Sequence, residues 1–147
     1  MFFLKELPSQ KMVAGYADAH GGDPDHITDT LVMMRQASLL IRRLETYFAS
    51  HKLSQLRFLV LIVIDRELDR QSLKPNEIAQ RIDVSKPVLT RTLQSLQTDG
   101  LVQISSSKSD GRSKEIALTP AGYNRLQQLL PGYFKILAER RAVPEEA

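Results

Sequence analysis

The sequence predicts a mainly helical α+β protein with one small β-hairpin. Three observations support this fold class. Apolar residues recur at helical spacing from Ile27 onward, two short strand-like runs at 101–104 and 114–118 flank a polar loop, and Gly/Pro clusters separate the segments. Such an order of elements suits one domain, because 147 residues suffice to bury a core without disulfides or metals.

Composition excludes several classes of protein. The chain has no cysteine, which removes a disulfide framework, a thiol redox sensor and a cysteine-ligated zinc site. No stretch approaches the roughly 18 apolar residues of a membrane span. The first ten residues, MFFLKELPSQ, lack the basic start and long apolar run of a signal peptide. We therefore expect a cytoplasmic protein with no membrane association.

Positive charge is concentrated in the middle of the chain. Residues 35–73 and 74–114 each hold seven basic and four acidic groups, whereas residues 1–34 hold two basic and five acidic groups. A basic patch favours an anionic partner through release of counterions. A solvated surface with a slight cationic excess explains the charge equally well.

Residues 1–26 are set apart from the rest as an N-terminal arm. Phe2, Phe3, Leu4 and Leu7 precede Pro8, and the segment GGDPD at 21–25 interrupts any helix strongly. The arm is either a docking segment or disordered.

A helix of more than twenty residues is predicted over about 27–50. Its apolar positions recur at spacings of three, four or seven residues and are Ile27, Leu31, Met34, Ile41, Leu44 and Phe48. Leu39, Leu40 and Tyr47 widen this apolar stripe, so the helix is expected to bury two of its sides. Such excess is typical of a helix that packs against a second subunit.

The remaining elements follow from capping and turn residues. Ser54 caps a second helix that runs to about Asp69, and QSLKPNE is a turn before a short helix over 76–82. Ser85 caps a fourth helix that ends at Asp99-Gly100, with the glycine in a left-handed C-cap. After the two strands, Thr119 begins a helical region over 119–141, and residues 142–147 form a tail.

The order helix, turn, helix, strand, basic loop, strand predicts a winged helix-turn-helix over about 54–119. Leu89, Leu93 and Leu96 must face the core of the fourth helix. The opposite face then presents polar and cationic groups that suit a DNA recognition helix, and Ser85 with the free amides at the helix start suits a phosphate. The predicted DNA-contacting residues of this helix are Ser85, Lys86, Pro87, Thr90, Arg91 and Gln94. A merely polar amphipathic helix is the alternative.

The loop between the strands supplies three further candidates, namely Lys108, Asp110 and Arg112. A hairpin tip can insert a guanidinium into a minor groove, where negative potential is concentrated. Phosphate would repel Asp110, so we expect it to orient Arg112 or a turn amide. Alternatively, Asp110-Gly111 is only a hairpin signal and Arg112 a solvated cation.

Four segments together resemble the MarR family of transcription regulators: LSQLRFLVL, NEIAQRI, VSKPVLTRTLQSLQTDGLV and DGRSKEIALTPAG. The resemblance covers roughly residues 27–140. It implies a homodimer held by helices about 27–50 and 119–141, usually a repressor at a palindromic operator, and often release by a small phenolic or anionic ligand. It also implies that Arg112 enters the minor groove with Asp110 as its partner, and that the recognition-helix residues contact the operator.

The sequence departs from the family pattern in three places. The family often has an arginine just before the wing tip, where this sequence has Ser105, Ser106 and Ser107. This departure predicts weaker binding of the wing to DNA. The cysteine of the oxidation-sensing branch is missing. The sequence also ends about where a last dimerisation helix is expected, and our hypothesis is that Phe2, Phe3, Leu4 and Leu7 replace that surface.

No catalytic, metal or cofactor site can be assembled from the sequence. The three histidines are scattered over linkers, and Asp65, Glu67 and Asp69 fit a solvated helix end better than general acid–base catalysis. Arg42, Arg43, Tyr47 and Arg57 are candidates for holding an anion, although packing and surface charge explain them as well. The chain is therefore not expected to be an enzyme. The rival to DNA binding is a winged helix that serves as a protein-interaction module.

Overall fold

The computed structural model describes residues 2–106 and 112–139. The elements are α1 (Gln10–His20), α2 (Pro24–Ser50), α3 (Gln55–Asp65), β1 (Ser72–Leu73), α4 (Pro75–Arg81), α5 (Lys86–Thr98), β2 (Val102–Ser106), β3 (Lys114–Leu118) and α6 (Pro120–Ala138). The strands form one antiparallel sheet in the order β1-β3-β2. The predicted fold class, mainly helical with a β-hairpin, is confirmed.

The described residues fall into two compact units. One contains the chain up to Leu44 together with Glu139, and the other contains the chain from Glu45 to Ala138. In the first unit α1 begins at Ser9, whose hydroxyl accepts a hydrogen bond from the Met12 amide, and it buries Val13 and Ala17. The N-terminal arm therefore contains an eleven-residue helix that the sequence analysis did not predict.

The second unit has a core of large apolar side chains from α3, α5, the sheet and α6. Phe58 lies at its centre, with its ring 4.6 Å from the rings of both Phe48 and Tyr133. Leu61, Leu96, Ile116, Leu126 and Leu129 are fully buried around it. Burial of a side chain of this size stabilises the folded state by roughly 1.5–3 kcal/mol. The helix-turn-helix and the hairpin therefore share one hydrophobic core.

Two predicted boundaries were wrong. The helix capped by Ser54 ends at Asp65, four residues earlier than expected, and the turn QSLKPNE contains the strand β1. In β1, Ser72 pairs with Ala117 and Leu73 with Ile116. The residues of β1 are typical of a turn, so local sequence did not predict a strand. The strand is stabilised by pairing with β3, more than forty residues away.

The final helix is continuous through Pro131. Its start is the predicted one, because the Thr119 hydroxyl accepts a hydrogen bond from the Gly122 amide at 3.0 Å. Among the described residues no single helix is long and apolar enough to cross a membrane. Taken together, α2 and α3, which are bent by 87° at their junction, have a length and an apolar composition that would suffice.

Candidate nucleic-acid interface

The buried face of α5 fixes which of its side chains are available to a partner. Leu89, Leu93 and Leu96 are buried, as the spacing predicts. Thr92 is buried as well, and its hydroxyl donates to the Val88 carbonyl at 2.8 Å. Because this self-contained bond satisfies the hydroxyl, Thr92 packs against the core without a polar cost.

The opposite face of α5 is exposed over its whole length. The predicted outward residues Lys86, Pro87, Thr90, Arg91 and Gln94 all lie on it, together with the capping residue Ser85. The Thr90 hydroxyl donates to the Lys86 carbonyl at 3.0 Å, so towards a partner it serves first as an acceptor. The sequence placed this face correctly, and its contact with DNA stays a prediction.

The N-terminus of α5 offers fewer free backbone amides than the sequence predicts. The Ser85 hydroxyl accepts a hydrogen bond from the Val88 amide at 3.4 Å, and Pro87 has no amide hydrogen. In the first turn this leaves the Lys86 amide to meet a phosphate, helped by the helix dipole and the Lys86 ammonium.

The C-terminus of α5 ends in a Schellman motif. Gly100 has a φ of +74°, the Leu101 amide donates to the Leu96 carbonyl at 2.9 Å, and the Gly100 amide donates to the Gln97 carbonyl at 3.0 Å. Gly100 is thus the predicted left-handed cap. It turns the chain directly from the recognition helix into β2.

An ion pair anchors the same end of α5 to α3. Arg57 of α3 pairs with Asp99, which is the C-cap residue of α5. The Arg57 side chain is only 20% exposed, so the pair is shielded on the protein side. The sequence left Arg57 as a candidate for holding an anion, whereas in the structure its guanidinium pairs with the C-cap of the recognition helix.

Thr119, just before α6, is hydrogen-bonded to the segment between α5 and β2. The Thr119 hydroxyl donates to the Gly100 carbonyl at 2.6 Å, while the Thr119 amide donates to the Leu101 carbonyl at 3.1 Å. A Cβ atom on Gly122 would overlap the Leu101 carbonyl oxygen. The glycine is therefore required for this close approach, and the short motif TPAG was the only local sign of it.

Tyr47 is also used in packing. Its hydroxyl donates to the Leu129 carbonyl at 2.8 Å, and burial raises its pKa above the usual value. Its ring lies against Gly132, where a Cβ atom would overlap the hydroxyl. Tyr47 thus connects the end of α2 to α6 rather than pointing its hydroxyl at an open site.

A charged network joins the α3–β1 loop to α4, the first helix of the helix-turn-helix. Arg70 donates twice to the Glu77 carboxylate, once at 2.6 Å, and the Lys74 amide donates to it at 2.9 Å. Arg81 pairs with Glu67 at 3.0 Å. The bonds from Arg70, then that from Lys74, lower the pKa of Glu77 to about 2. These contacts hold the loop after α3 against α4.

The wing is a regular hairpin at its base. Ile104 pairs with Ile116, Ser105 with Glu115 and Ser106 with Lys114. The Ser72 hydroxyl donates to the Glu115 carboxylate at 2.8 Å, so β1 also supports the hairpin. Arg112 is exposed just before β3 begins. Lys108, Asp110 and Ser107 lie outside the described residues, so the expected pairing of Asp110 with Arg112 stays a prediction.

Within residues 2–106 and 112–139, no group of three or more His, Asp or Glu side chains is arranged to hold a metal ion.

Comparison with known proteins places this arrangement in a family. A family model described as the MarR family matches residues 51–113, which run from just before α3 to the residue before β3. The transcriptional repressor YetL of Bacillus subtilis (strain 168) is 33% identical over 132 residues, which cover 89% of this chain and 78% of YetL. The transcriptional repressor MprA of Escherichia coli (strain K12) is 24% identical over 125 residues, 84% of this chain and 70% of MprA.

Solved structures share the fold. Sco3205, a MarR family transcriptional regulator from Streptomyces coelicolor crystallised in complex with DNA, superposes with a TM-score of 0.74 at 20% identity, over 86% of this chain and 78% of that chain. AbsC, another MarR family regulator from the same organism, gives a TM-score of 0.69 at 18% identity, over 74% and 72% of the two chains.

The helix-turn-helix and the first strand of the hairpin thus lie within the segment that the family model matches, and YetL extends the similarity over most of both chains. The chain belongs to the MarR family.

Proposed function

We propose that this protein is a sequence-specific double-stranded DNA-binding transcription regulator that acts as a repressor. The observation that supports it most is the exposed face of α5. There, Lys86, Thr90, Arg91 and Gln94 stand on a helix whose other face is buried in the core. Such a helix fits a major groove, and its side chains match the donors and acceptors found on base edges.

Each exposed side chain has a role in this proposal. Arg91 can donate two hydrogen bonds to guanine, and Gln94 can exchange two with adenine. Lys86 and the N-terminus of α5 meet a phosphate, which fixes the register of the helix without reading sequence. Arg112, exposed at the hairpin, reaches the adjacent minor groove, and Lys108 adds a further cation to the wing.

The proposed assembly is a homodimer on a palindromic operator. Two recognition helices then enter successive major grooves about 34 Å apart. Membership of the MarR family supports the dimer, and the DNA complex of the neighbour Sco3205 supports DNA as the partner. We further propose a cytoplasmic location, no catalytic activity and release by a small phenolic or anionic effector.

The alternative is a winged helix used for protein interaction. That use would favour an apolar or acidic recognition face, whereas the exposed face of α5 combines two cations with hydroxyl and amide groups. The composition of that face therefore favours DNA.

Affinity selection of genomic DNA by the purified protein tests the proposal. We expect enrichment of fragments with a two-fold symmetric sequence and half-sites one helical turn apart. Binding to such a fragment should weaken steeply as salt rises. A flat salt response, or no retention of any fragment at low salt, would support the interaction module instead.

A further inference from the structure

Two large apolar side chains are exposed around one depression in the second unit. Leu68, in the loop between α3 and β1, is 97% exposed, and Tyr123, in the first turn of α6, is 49% exposed. Both line an open depression of about 610 Å³, together with Leu118 at the end of β3 and Pro120 at the start of α6. We call it the rear groove. Single exposed apolar side chains are ordinary, but a group of them around a hollow indicates an interaction surface.

Contacts with α4 fix the loop that carries Leu68. Glu67, just before it, pairs with Arg81 at 3.0 Å, and Arg70, two residues after it, pairs with Glu77. The loop is thus attached to α4 on both sides of Leu68. A side chain presented in this way loses little conformational freedom when a partner covers it.

The rear groove is acidic, although the chain has a net charge of +3. Its lining includes three carboxylates and one guanidinium, which belong to Asp65, Glu67, Asp69 and Arg70. Glu67 and Arg70 are paired with α4. Asp65 and Asp69 are exposed, and neither forms an ion pair with another described residue. Two carboxylates are therefore available to a cationic partner.

The rear groove lies away from the face proposed to meet DNA. Leu118 is the last residue of β3, whereas Arg112 precedes the first, and a strand of five residues spans roughly 16 Å. Thr119, which also lines the groove, is bonded to Gly100 beyond the C-terminal end of α5. A partner in the groove therefore leaves the N-terminal part of α5 and the wing accessible to DNA.

We propose that the rear groove is a docking site for another protein, and that it binds a segment in which a lysine or arginine stands close to a large apolar side chain. The apolar side chain enters the depression between Leu68 and Tyr123, while the cation pairs with Asp65 and Asp69. The groove suits a protein segment better than a small molecule, because Leu68 projects into solvent instead of enclosing a ligand. This docking goes beyond DNA binding and does not depend on it.

Peptide display on the full-length protein tests the proposal without DNA. A random peptide library is first depleted on the double variant Leu68→Ser with Asp69→Asn and then selected on the parent, so that the retained peptides depend on the groove. We expect these peptides to be enriched in lysine or arginine close to leucine, methionine, phenylalanine or tryptophan. Aspartate and glutamate should be rare in them.

Single variants then locate the binding of one retained peptide, followed by fluorescence anisotropy. Leu68→Ser should weaken it about tenfold, because an apolar contact is lost, whereas Leu68→Met keeps the apolar volume and should bind as the parent does. Asp65→Asn and Asp69→Asn should each weaken binding about threefold and reduce its salt dependence. The matched control is Asp83→Asn, which removes an exposed carboxylate between α4 and α5 and should change neither quantity.

Four results would overturn the proposal. The parent could retain no peptide after depletion, or the retained peptides could lack basic residues. Leu68→Ser could have a smaller mass than the parent in sedimentation equilibrium, which would make a second copy of this chain the occupant. Finally, Leu68→Ser could bind genomic DNA fragments more weakly than the parent, which would place the groove on the DNA-binding face.

Discussion

Arg57 of α3 pairs with Asp99 at the C-cap of α5, and this pair ties the recognition helix to the core helix beside it. The two residues are 42 positions apart, and neither is on the face proposed to meet DNA. The pair is therefore a positioning contact whose loss should affect stability and DNA binding together.

We expect Asp99→Ala to lower the free energy of unfolding by about 1–3 kcal/mol, because it leaves the largely buried Arg57 guanidinium without its partner. Urea denaturation followed by circular dichroism measures this change. Asp29→Ala, which removes an exposed carboxylate from α2, is the control and should stay within about 0.5 kcal/mol of the parent.

A double variant tests the pairing itself. Arg57→Met with Asp99→Ala should be less destabilised than the sum of the single variants, since no buried charge remains. Strict additivity would mean that the two side chains act independently.

Gly122→Ala should be among the most damaging substitutions in the second unit. Its methyl group would overlap the Leu101 carbonyl oxygen, and neither backbone segment can shift without breaking the hydrogen bonds of Thr119. We expect a loss of about 2–4 kcal/mol in chemical denaturation. Gly15→Ala is the matched control, because its methyl group meets no atom within 4 Å in α1 and should stabilise that helix by about 0.5–1 kcal/mol. If Gly122→Ala and Gly15→Ala change the free energy of unfolding equally, helix propensity and not the contact with Leu101 determines both effects.

The Glu77 carboxylate should make stability depend on pH in acid. The pKa of Glu77 is lowered from 4.5 to about 2 in the folded protein, first by the hydrogen bonds from Arg70 and next by that from the Lys74 amide. A lowered pKa in the folded state stabilises the protein fully above the unfolded pKa. That stabilisation is lost as the pH falls from about 5 towards 2.

The difference in unfolding free energy between the parent and Glu77→Gln should therefore be constant from neutral pH to about 5 and shrink below it. Denaturant titrations at a series of acid pH values measure it. Glu45→Gln, an exposed carboxylate on α2, serves as the control. A difference for Glu77→Gln that stays the same down to pH 2 would contradict the assigned hydrogen bonds. The effect should be modest, because Arg70 is partly exposed and exposed ion pairs contribute little.

Local patterns predicted the recognition helix well. Its leucine spacing, its cap at Ser85 and its end at Gly100 depend on neighbours within a few residues, and all three agree with the structure. The strand β1 could not be found this way, because its partners Ala117 and Ile116 are distant in sequence and its residues are typical of a turn. The Arg57–Asp99 pair and the hydrogen bond from Arg35 to the Leu4 carbonyl are also long-range. For α1, Gly15 weakens the local helical signal, and burial of Val13 and Ala17 stabilises the helix instead.

Substitution of Gln94 should change sequence preference more than affinity for DNA in general. Gln94 is exposed on α5 and can read adenine through two hydrogen bonds, so Gln94→Ala should relax preference at one base pair per half-site by about 1–3 kcal/mol. Arg91→Ala should do the same at a guanine. Selection from a randomised operator library compares the consensus of each variant with that of the parent. The control is Gln128→Ala, which removes an exposed amide from α6 and should return the parental consensus. If Gln94→Ala and Arg91→Ala also return the parental consensus, α5 does not read bases.

Substitution of Arg112 should weaken binding to all sequences, because a minor-groove guanidinium acts mainly through charge. Arg112→Ala removes one cation from each wing, hence two from the proposed dimer, so the slope of log K against log salt should fall in magnitude by about two units. Arg112→Lys keeps the charge and should keep the slope, even if the less suitable shape of its ammonium lowers the affinity. Equilibrium binding by fluorescence anisotropy across a salt series measures both quantities. If Arg112→Ala matches the parent in affinity and slope at every salt concentration, the wing does not contact DNA, and binding must depend on α5 alone.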